Sequence, residues 1–552
     1  MSAFPAAARA AARTLLLTLL FVLPAQAWAA ADERMAAAEE ALSAWDMPKA
    51  VSLAEALYGE NPSDPRSAFL LGRVKLHTGD YEGAARLLED AGAPGTPGGY
   101  LDVARRTQAI TANYQQVESK NFVFRYPAGK DEILAPWALE TLEASYEQIG
   151  DVVGFKPSPA DGKILVEVVA DAEELSAVST LGIEAIKTTG TIAVCKFNKL
   201  MITSPKALLR GYEWRDTLAH EYVHLVITKK SRNQTPIWLH EGMAKYLETA
   251  WRGPPGKALE LPSEALLRDA VKAEKLITFE QMHPSIALLP TARDAALAFA
   301  EVFSAIEYLH GADATSVERI LSHLGAGLSD RDAVAKVYGK PFAVFERSWR
   351  HYLQKRPYPQ ENASVALLEK HFADEQPEAP QEPEKKNAYR DLTELSEFRA
   401  IKDARARKAA HLGELLRARG KFAAAAAKYE EAVARAGAQF PNLSNKYALA
   451  LLELGEHGSA VRVLESTRDY FPNDVFTNLN LARAKMQSGK VRDAEPFLRT
   501  AVSVNPFDPE VHGRLLAVAK ETGDADLLQR SSRALALLTG AVPGQQSTEQ
   551  RP

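Results

Sequence analysis

The chain has one cysteine, Cys195, among 552 residues. That excludes an intramolecular disulfide, so the fold must rely on packed cores and any bound metal. Cys195 lies in an apolar, strand-like run and reads as a small buried hydrophobe. A surplus of positive charge is also missing. The 66 Lys and Arg residues stand against 71 Asp and Glu, for a formal net charge of −5. A surface that tracks nucleic-acid phosphates needs the opposite balance, so no nucleic-acid partner is expected. Beyond the N-terminus no apolar run approaches the roughly 20 residues that a membrane-spanning helix needs.

The N-terminus itself has a distinct pattern. Arg9 and Arg13 precede an apolar run from Leu15 to Leu23, and Ala27-Trp28-Ala29 supplies small residues at an A-x-A site. This reads as a cleavable secretory signal over 1–29, cut after Ala29 or Ala27. No cysteine flanks the cut, which argues against a lipoprotein anchor. With an Ala-rich composition, the expectation is an exported bacterial protein, periplasmic or secreted, with no integral membrane segment once the signal is removed.

A chain of this length exceeds one ordinary core, so two or three folding units are expected. Gly420, Gly455, Gly489 and Gly523 are spaced 35, 34 and 34 residues apart. Gly420 is followed by Phe422, Ala425, Tyr429 and Ala432, and Gly489 by Ala494, Leu498 and Ala501. Near the other end, Trp45 and Gly79 are 34 residues apart in matching contexts. These segments resemble tetratricopeptide repeats, in which small residues let paired helices pack closely. The resemblance implies helical arrays over 30–112 and 396–541.

Between them the pattern changes. Asn121 to Tyr126 alternates like a strand, and Lys163 to Val169 is a strong strand. Leu139, Leu142, Tyr146, Ile149 and Val153 mark one helix face, and Thr191 to Thr203 looks like a hairpin turning at Asn198-Lys199. From about 205 to 355 the pattern is helical. Residues 113–360 therefore read as an α+β unit. A Pro/Glu-rich connection over 361–395 and a tail over 542–552 have no capacity to bury a core.

The chemistry centres on His220-Glu221-Tyr222-Val223-His224, an H-E-x-x-H segment. Residues four apart share a helix face, so both imidazoles can reach one Zn²⁺. Glu221 then sits where its carboxylate reaches a water at the metal without ligating it. A hydrolytic zinc site needs a third protein ligand and one open position. A polar loop follows, then Thr235-Pro236 as N-cap and first turn of a second helix carrying Trp238-Leu239-His240-Glu241-Gly242-Met243-Ala244. Glu241, 17 residues beyond His224, and His240 both offer a ligand there, but neighbours on a helix point about 100° apart, which disfavours both binding together.

HEYVH followed by PIWLHEGMAKY resembles the gluzincins of the peptidase MA clan, specifically bacterial peptidase-MA-like proteins with a W-x-x-E-G-x-A segment. The resemblance covers roughly 115–355. It implies a thermolysin-like zincin domain, a small mixed sheet plus a helical subdomain, with His220, His224 and Glu241 on zinc and Glu221 as general base. It favours Glu241 over His240. It implies that Gly242 and Ala244 let the second helix pack on the first, and that Thr191–Thr203 supplies an edge strand for extended substrate. Tyr246, with Tyr308 as a rival, is the candidate oxyanion donor. Phe299 stands where relatives often carry a tyrosine. Glu248, seven residues past Glu241 on the same face, is the candidate support for a histidine ligand.

The expected function is zinc-dependent endopeptidase-type hydrolysis of protein or peptide substrates. The repeats either recruit a substrate or partner or pack on the peptidase domain. The alternatives are a non-catalytic repeat scaffold or assembly factor of the cell envelope with a vestigial peptidase domain, and hydrolysis of cell-wall peptide crosslinks.

Overall fold

The computed structural model describes residues 31–158, 162–256, 259–358, 398 and 401–540. The signal segment, the Pro/Glu-rich connection and the tail lie outside the described residues.

The chain opens with α1 (31–43), α2 (Met47–Glu60), α3 (Pro65–Thr78), α4 (Tyr81–Asp90) and α5 (Tyr100–Thr111). Aspartates start α2, α3 and α4, with Asp46, Asp64 and Asp80 each accepting a first-turn backbone N–H. A Cβ at Gly72 would meet Leu88 at 2.8 Å, so the missing side chain lets α3 and α4 pack as a close hairpin.

Five strands follow: β1 (Tyr114–Glu118), β2 (Phe122–Pro127), β3 (Ile164–Val169), β4 (Ala193–Lys196) and β5 (Lys199–Thr203). They form one sheet in the order β1-β2-β3-β5-β4. The central β2–β3 and β3–β5 pairs are parallel, and the two outer pairs are antiparallel. β3 and β5 are buried along their whole length, as strands with cover on both faces must be. The β4–β5 turn falls one residue earlier than the sequence suggests. Phe197 and Asn198 carry it, both with positive φ, the form that matches strand twist in a two-residue hairpin. This leaves β4 as an edge strand.

Between and after the strands come α6 (Leu134–Val153), α7 (Ala172–Ser179), α8 (Ile183–Thr189), α9 (Trp214–Lys230), α10 (Ile237–Leu247), α11 (Leu261–Lys272), α12 (Ala292–Ala312), α13 (Ser316–Gly325), α14 (Asp330–Tyr338) and α15 (Phe342–Lys355). The mixed sheet with its helical subdomain agrees with the expected α+β class. Among the described residues no helix is long and apolar enough to cross a membrane.

The C-terminal array comprises α16 (Ala404–Ala418), α17 (Phe422–Ala436), α18 (Pro441–Glu453), α19 (His457–Arg468), α20 (Val475–Gln487), α21 (Glu495–Val504), α22 (Pro509–Thr522) and α23 (Ala525–Thr539). The glycine period now has its cause. Gly420, Gly455, Gly489 and Gly523 all have φ between 69° and 79°, the left-handed conformation that turns the first helix of each pair into the second.

Both arrays pack on the central domain. One hydrophobic core contains sheet residues Phe122 and Val166, α9 residues Leu218 and Val226, and Leu479, Leu498, Val511 and Leu515 of the C-terminal array. Trp214 Nε1 donates to the Val502 carbonyl at 2.9 Å, and Tyr212 N to the Val504 carbonyl at 3.2 Å. Glu140 accepts from Arg215 at 2.8 Å and from Arg530 at 2.6 Å, with both guanidiniums over the Trp137 ring. On the N-terminal side, Lys199 Nζ is fully buried and donates to Glu167 and to Tyr81 of α4, each at 2.7 Å. Tyr81 in turn donates to Glu167 at 2.6 Å, so the triad is closed and each charge has a partner. The repeats therefore form walls of the central domain.

Candidate metal centre

α9 is buried nearly all round. Leu218, Ala219, Tyr222, Val223, Leu225, Val226 and Ile227 are all 0 % exposed. His220 and His224 occupy its remaining face, one turn apart, and keep 18 % and 13 % of their side-chain surface. α10 returns beside this face. Its Glu241 carboxylate oxygen Oε2 lies 3.7 Å from Nε2 of His220 and 3.7 Å from Nε2 of His224. Ligands about 2.0–2.1 Å from a tetrahedral ion lie about 3.3 Å apart, so each of these two separations is a few tenths of an ångström longer than shared ligation would need. His220, Glu221 and His224 also each offer a ligand atom within 4.8 Å of the other two. A cluster able to hold a metal ion is present, and its two-nitrogen, one-carboxylate donor set suits zinc.

The outer nitrogens of the two histidines are also engaged. His220 Nδ1 donates to Glu248 Oε2 at 3.0 Å, and Lys245 donates to the other Glu248 oxygen at 2.6 Å. His224 Nδ1 lies 2.6 Å from Nδ1 of His240, whose Nε2 lies 3.2 Å from Thr228 Oγ1. Burial holds the His240 ring down to about 4, so it is neutral near pH 7. A metal on His224 Nε2 would require the proton order in which His224 Nδ1–H donates to His240 and His240 Nε2–H donates to Thr228. This order leaves the Nε2 lone pair of His224 directed toward Glu241. His240 is thus turned to the back of His224 and supports it, whereas Glu241 faces both inner nitrogens.

The charges follow from this geometry. For His220, burial opposes protonation, but the neighbouring Glu241 and Glu248 carboxylates outweigh it and raise the group to about 10. Burial would raise Glu241, yet His224 and His220 hold it down to about 2. A metal ion must displace the His220 proton, as deprotonation of ligands requires. Glu221 is 6 % exposed and is raised to about 7, first by burial and then by repulsion from Glu241, against the opposing pull of His220. It also accepts the backbone N–H of Cys195, on edge strand β4. Cys195 is only partly buried, packed against the main core, and desolvation pushes its thiol well up.

Three sequence expectations change. The Tyr246 hydroxyl pairs with His310 Nδ1 at 3.1 Å, and its ring packs on Phe303 of α12. Five residues on a helix turn roughly 140°, so Tyr246 points to α12 when Glu241 points to α9, and it is no longer the oxyanion candidate. Tyr308 pairs with Tyr338 at 3.0 Å in an aromatic cluster with Phe345 and Tyr352. Gly242 accommodates α12, not α9: a Cβ there would lie 2.8 Å from the Val302 carbonyl oxygen. Thr235 does not cap α10, which starts at Ile237 with Pro236 at the N-cap. Phe299 is half-buried against the main core. The supports from Thr228, His240 and Lys245 were not read from the sequence, because each acts through a side-chain direction that spacing alone leaves open.

With this geometry in place, comparison with known families adds its result. Residues 181–355 match a family model described as Peptidase MA superfamily. Tetratricopeptide repeat models match residues 35–99, 411–474 and 451–519. No curated protein matches the chain. Among solved structures, the APC/C hetero-tetramer Cut9-Hcn1 is 15 % identical over 92 % of this chain and 78 % of that one, with a TM-score of 0.26. The P58(IPK) TPR domain is 12 % identical over 91 % of this chain and 99 % of that one, with a TM-score of 0.20. Likeness that slight bears on neither fold nor function. A peptidase MA-like domain with an H-E-x-x-H cluster, together with tetratricopeptide repeats, classes the protein as a zinc metallopeptidase.

Proposed function

We propose that the protein hydrolyses peptide bonds in protein or peptide substrates, with zinc held by His220, His224 and Glu241 and with Glu221 as general base. The observation that carries this reading is the single Glu241 oxygen lying 3.7 Å from both inner histidine nitrogens. When bound, zinc supplies a Lewis acid and lowers the pKa of a coordinated water toward neutrality.

The chain's own residues supply the rest. The Glu221 carboxylate, raised to about 7, is matched to accept a proton from the attacking water near neutral pH and return it to the leaving amine. Glu248 and His240 fix the tilt of the two imidazoles. The open edge of β4, beside Glu221, offers backbone groups for an extended substrate to pair with. The Cys195 N–H that Glu221 accepts belongs to that edge, so substrate pairing and base positioning share one strand.

Glu221→Gln is expected to retain stoichiometric zinc and lose hydrolysis of a generic peptide substrate. Full activity in that variant would remove Glu221 from its role. Wild-type protein that binds zinc and cleaves no peptide would favour the scaffold reading instead. Export belongs to the same proposal: N-terminal sequencing of the protein recovered from cells should begin at Ala30 or Trp28, and a start at Met1 would overturn it.

A further inference from the structure

Glu248 stands where a helix has least control over a residue that must hold a histidine ligand. It follows Leu247, the last residue of α10, as the C-cap. Its N–H still bonds the Ala244 carbonyl at 2.9 Å, but Arg252 N already bonds the Thr249 carbonyl at 3.2 Å in a short 3-10 turn over Ala250–Arg252. The regular hydrogen-bond ladder ends in the last turn of a helix, so something beyond the helix must fix the chain there. Lys245 holds one Glu248 oxygen at 2.6 Å. Lys245 belongs to α10 as well, so that contact moves with Glu248 and sets no distance to His220 on α9.

Asp216 supplies that distance. It lies on α9 one turn before His220, while Trp251 and Arg252 lie three and four residues after Glu248. Asp216 Oδ1 accepts from Trp251 Nε1 and from Arg252 Nε, each at 2.9 Å, and Oδ2 accepts from Arg252 Nη2. The grip on Arg252 is two-pronged and charge-assisted, the geometry that most restricts a guanidinium. Arg215, next to Asp216, lies over the Trp251 ring at 4.3 Å. Arg215 is 2 % exposed and is itself held on α6 by Thr141 Oγ1 at 2.6 Å and Glu140 at 2.8 Å. The first turn of α9 therefore takes hold of Trp251 by its N–H and by its ring. One carboxylate, 14 % exposed, joins the helix that carries His220 to the segment that carries Glu248.

On the reading that His220 binds zinc, we propose that Asp216 is a positioning residue of the metal centre, seating Glu248 against His220 Nδ1 by holding Trp251 and Arg252 to α9. Its effect on the metal runs through Glu248. Without the clamp, the turn after Leu247 is free to move and the carboxylate loses its fixed place. The His220 ring then gains freedom that zinc binding must remove.

Zinc affinity of the full chain would be measured by competition with a chelator of known affinity, in wild type, Asp216→Ala, Glu248→Ala and the double variant, alongside melting of the metal-free proteins. Asp216→Ala should weaken zinc by about tenfold, the lower end of the effect of losing an outer support. In the Glu248→Ala background the same substitution should change affinity by less than about twofold, because the carboxylate it seats is gone. Asp216→Asn keeps an acceptor for Trp251 and should fall between wild type and Asp216→Ala. Trp251→Phe keeps a ring for Arg215 and removes only the N–H, so it should melt like wild type and weaken zinc in the same direction. Wild-type affinity in both Asp216→Ala and Trp251→Phe, or the same loss from Asp216→Ala with and without Glu248, overturns the proposal and leaves the clamp a role in stability alone. Wild-type protein that takes up no zinc overturns the metal reading, and this role with it, before any variant is compared.

Discussion

Glu248 Oε2 lies 3.0 Å from Nδ1 of His220, a residue 28 positions earlier in the chain, while Lys245 holds the other oxygen of the same carboxylate. The carboxylate thus fixes both the tilt and the tautomer of a histidine whose opposite nitrogen faces Glu241. Glu248→Ala should therefore weaken zinc binding by about 10- to 100-fold, the usual effect of losing such a support. Competition with a chelator of known affinity measures it. An unchanged affinity would mean that the contact orders nothing.

His240 plays the matching part behind His224. An asparagine there retains an acceptor for the His224 N–H, and a leucine does not. Zinc affinity should fall in His240→Leu, by about tenfold or more, and largely recover in His240→Asn. Equal losses in both would point to ring packing, since the two rings also stack at 4.6 Å.

Gly242 sets the distance between α10 and α12. The Cβ of Gly242→Ala would lie 2.8 Å from the Val302 backbone oxygen, which has no flexible side chain to yield. Overpacking of this kind costs about 1–3 kcal/mol. Urea denaturation should show that loss, with weaker zinc binding as α10 shifts and takes Glu241 with it. Wild-type stability would show that the helices separate without strain.

The peptidase domain and the C-terminal array should unfold together. Leu498 and Leu515 of the array belong to the core that includes α9. Leu498→Ala should cost about 2–5 kcal/mol and lower zinc retention in the same transition. Two separate melting steps, with the metal lost in only one, would show that the shared core is not cooperative.

Glu301 makes stability depend on pH. Its side chain is 0 % exposed, one oxygen accepts from Ile277 N at 2.9 Å, and burial raises it to about 8. Its ordinary value is 4.5. Between these values the folded chain holds a proton that the unfolded chain has released, so this group lowers stability progressively as pH rises from about 4.5 to 8. Glu301→Gln keeps the acceptor and does not titrate. Its melting temperature should exceed wild type by more at pH 8 than at pH 5. A constant difference across that range would refute the assignment.

Much of the site was legible in the sequence because helical periodicity is local. Placing His220 and His224 on one face needs only four residues of α9, and Glu241 needs only a second helix within reach. The errors arose where direction mattered more than spacing. Tyr246 is near Glu241 in sequence and turned toward His310 in space. Gly242 has the small side chain that close packing asks for, but its close neighbour is α12. Thr235 has a capping side chain and caps nothing.

By itself, the sequence determined the helix pairs, the left-handed glycine turns between them, the strands around Phe124 and Val166, and the donor types at the metal centre. All of these follow from short-range periodicity, backbone conformation and side-chain chemistry. Only the tertiary structure decided that His240 backs His224 instead of competing with Glu241, that Glu248 reaches His220, and that both repeat arrays are walls of the peptidase domain. Those outcomes depend on contacts between residues far apart in the chain, such as Trp214 with Val502 and Tyr81 with Glu167. Their formation is governed by which apolar faces and which charges must leave water together, and a local pattern carries no record of that pairing.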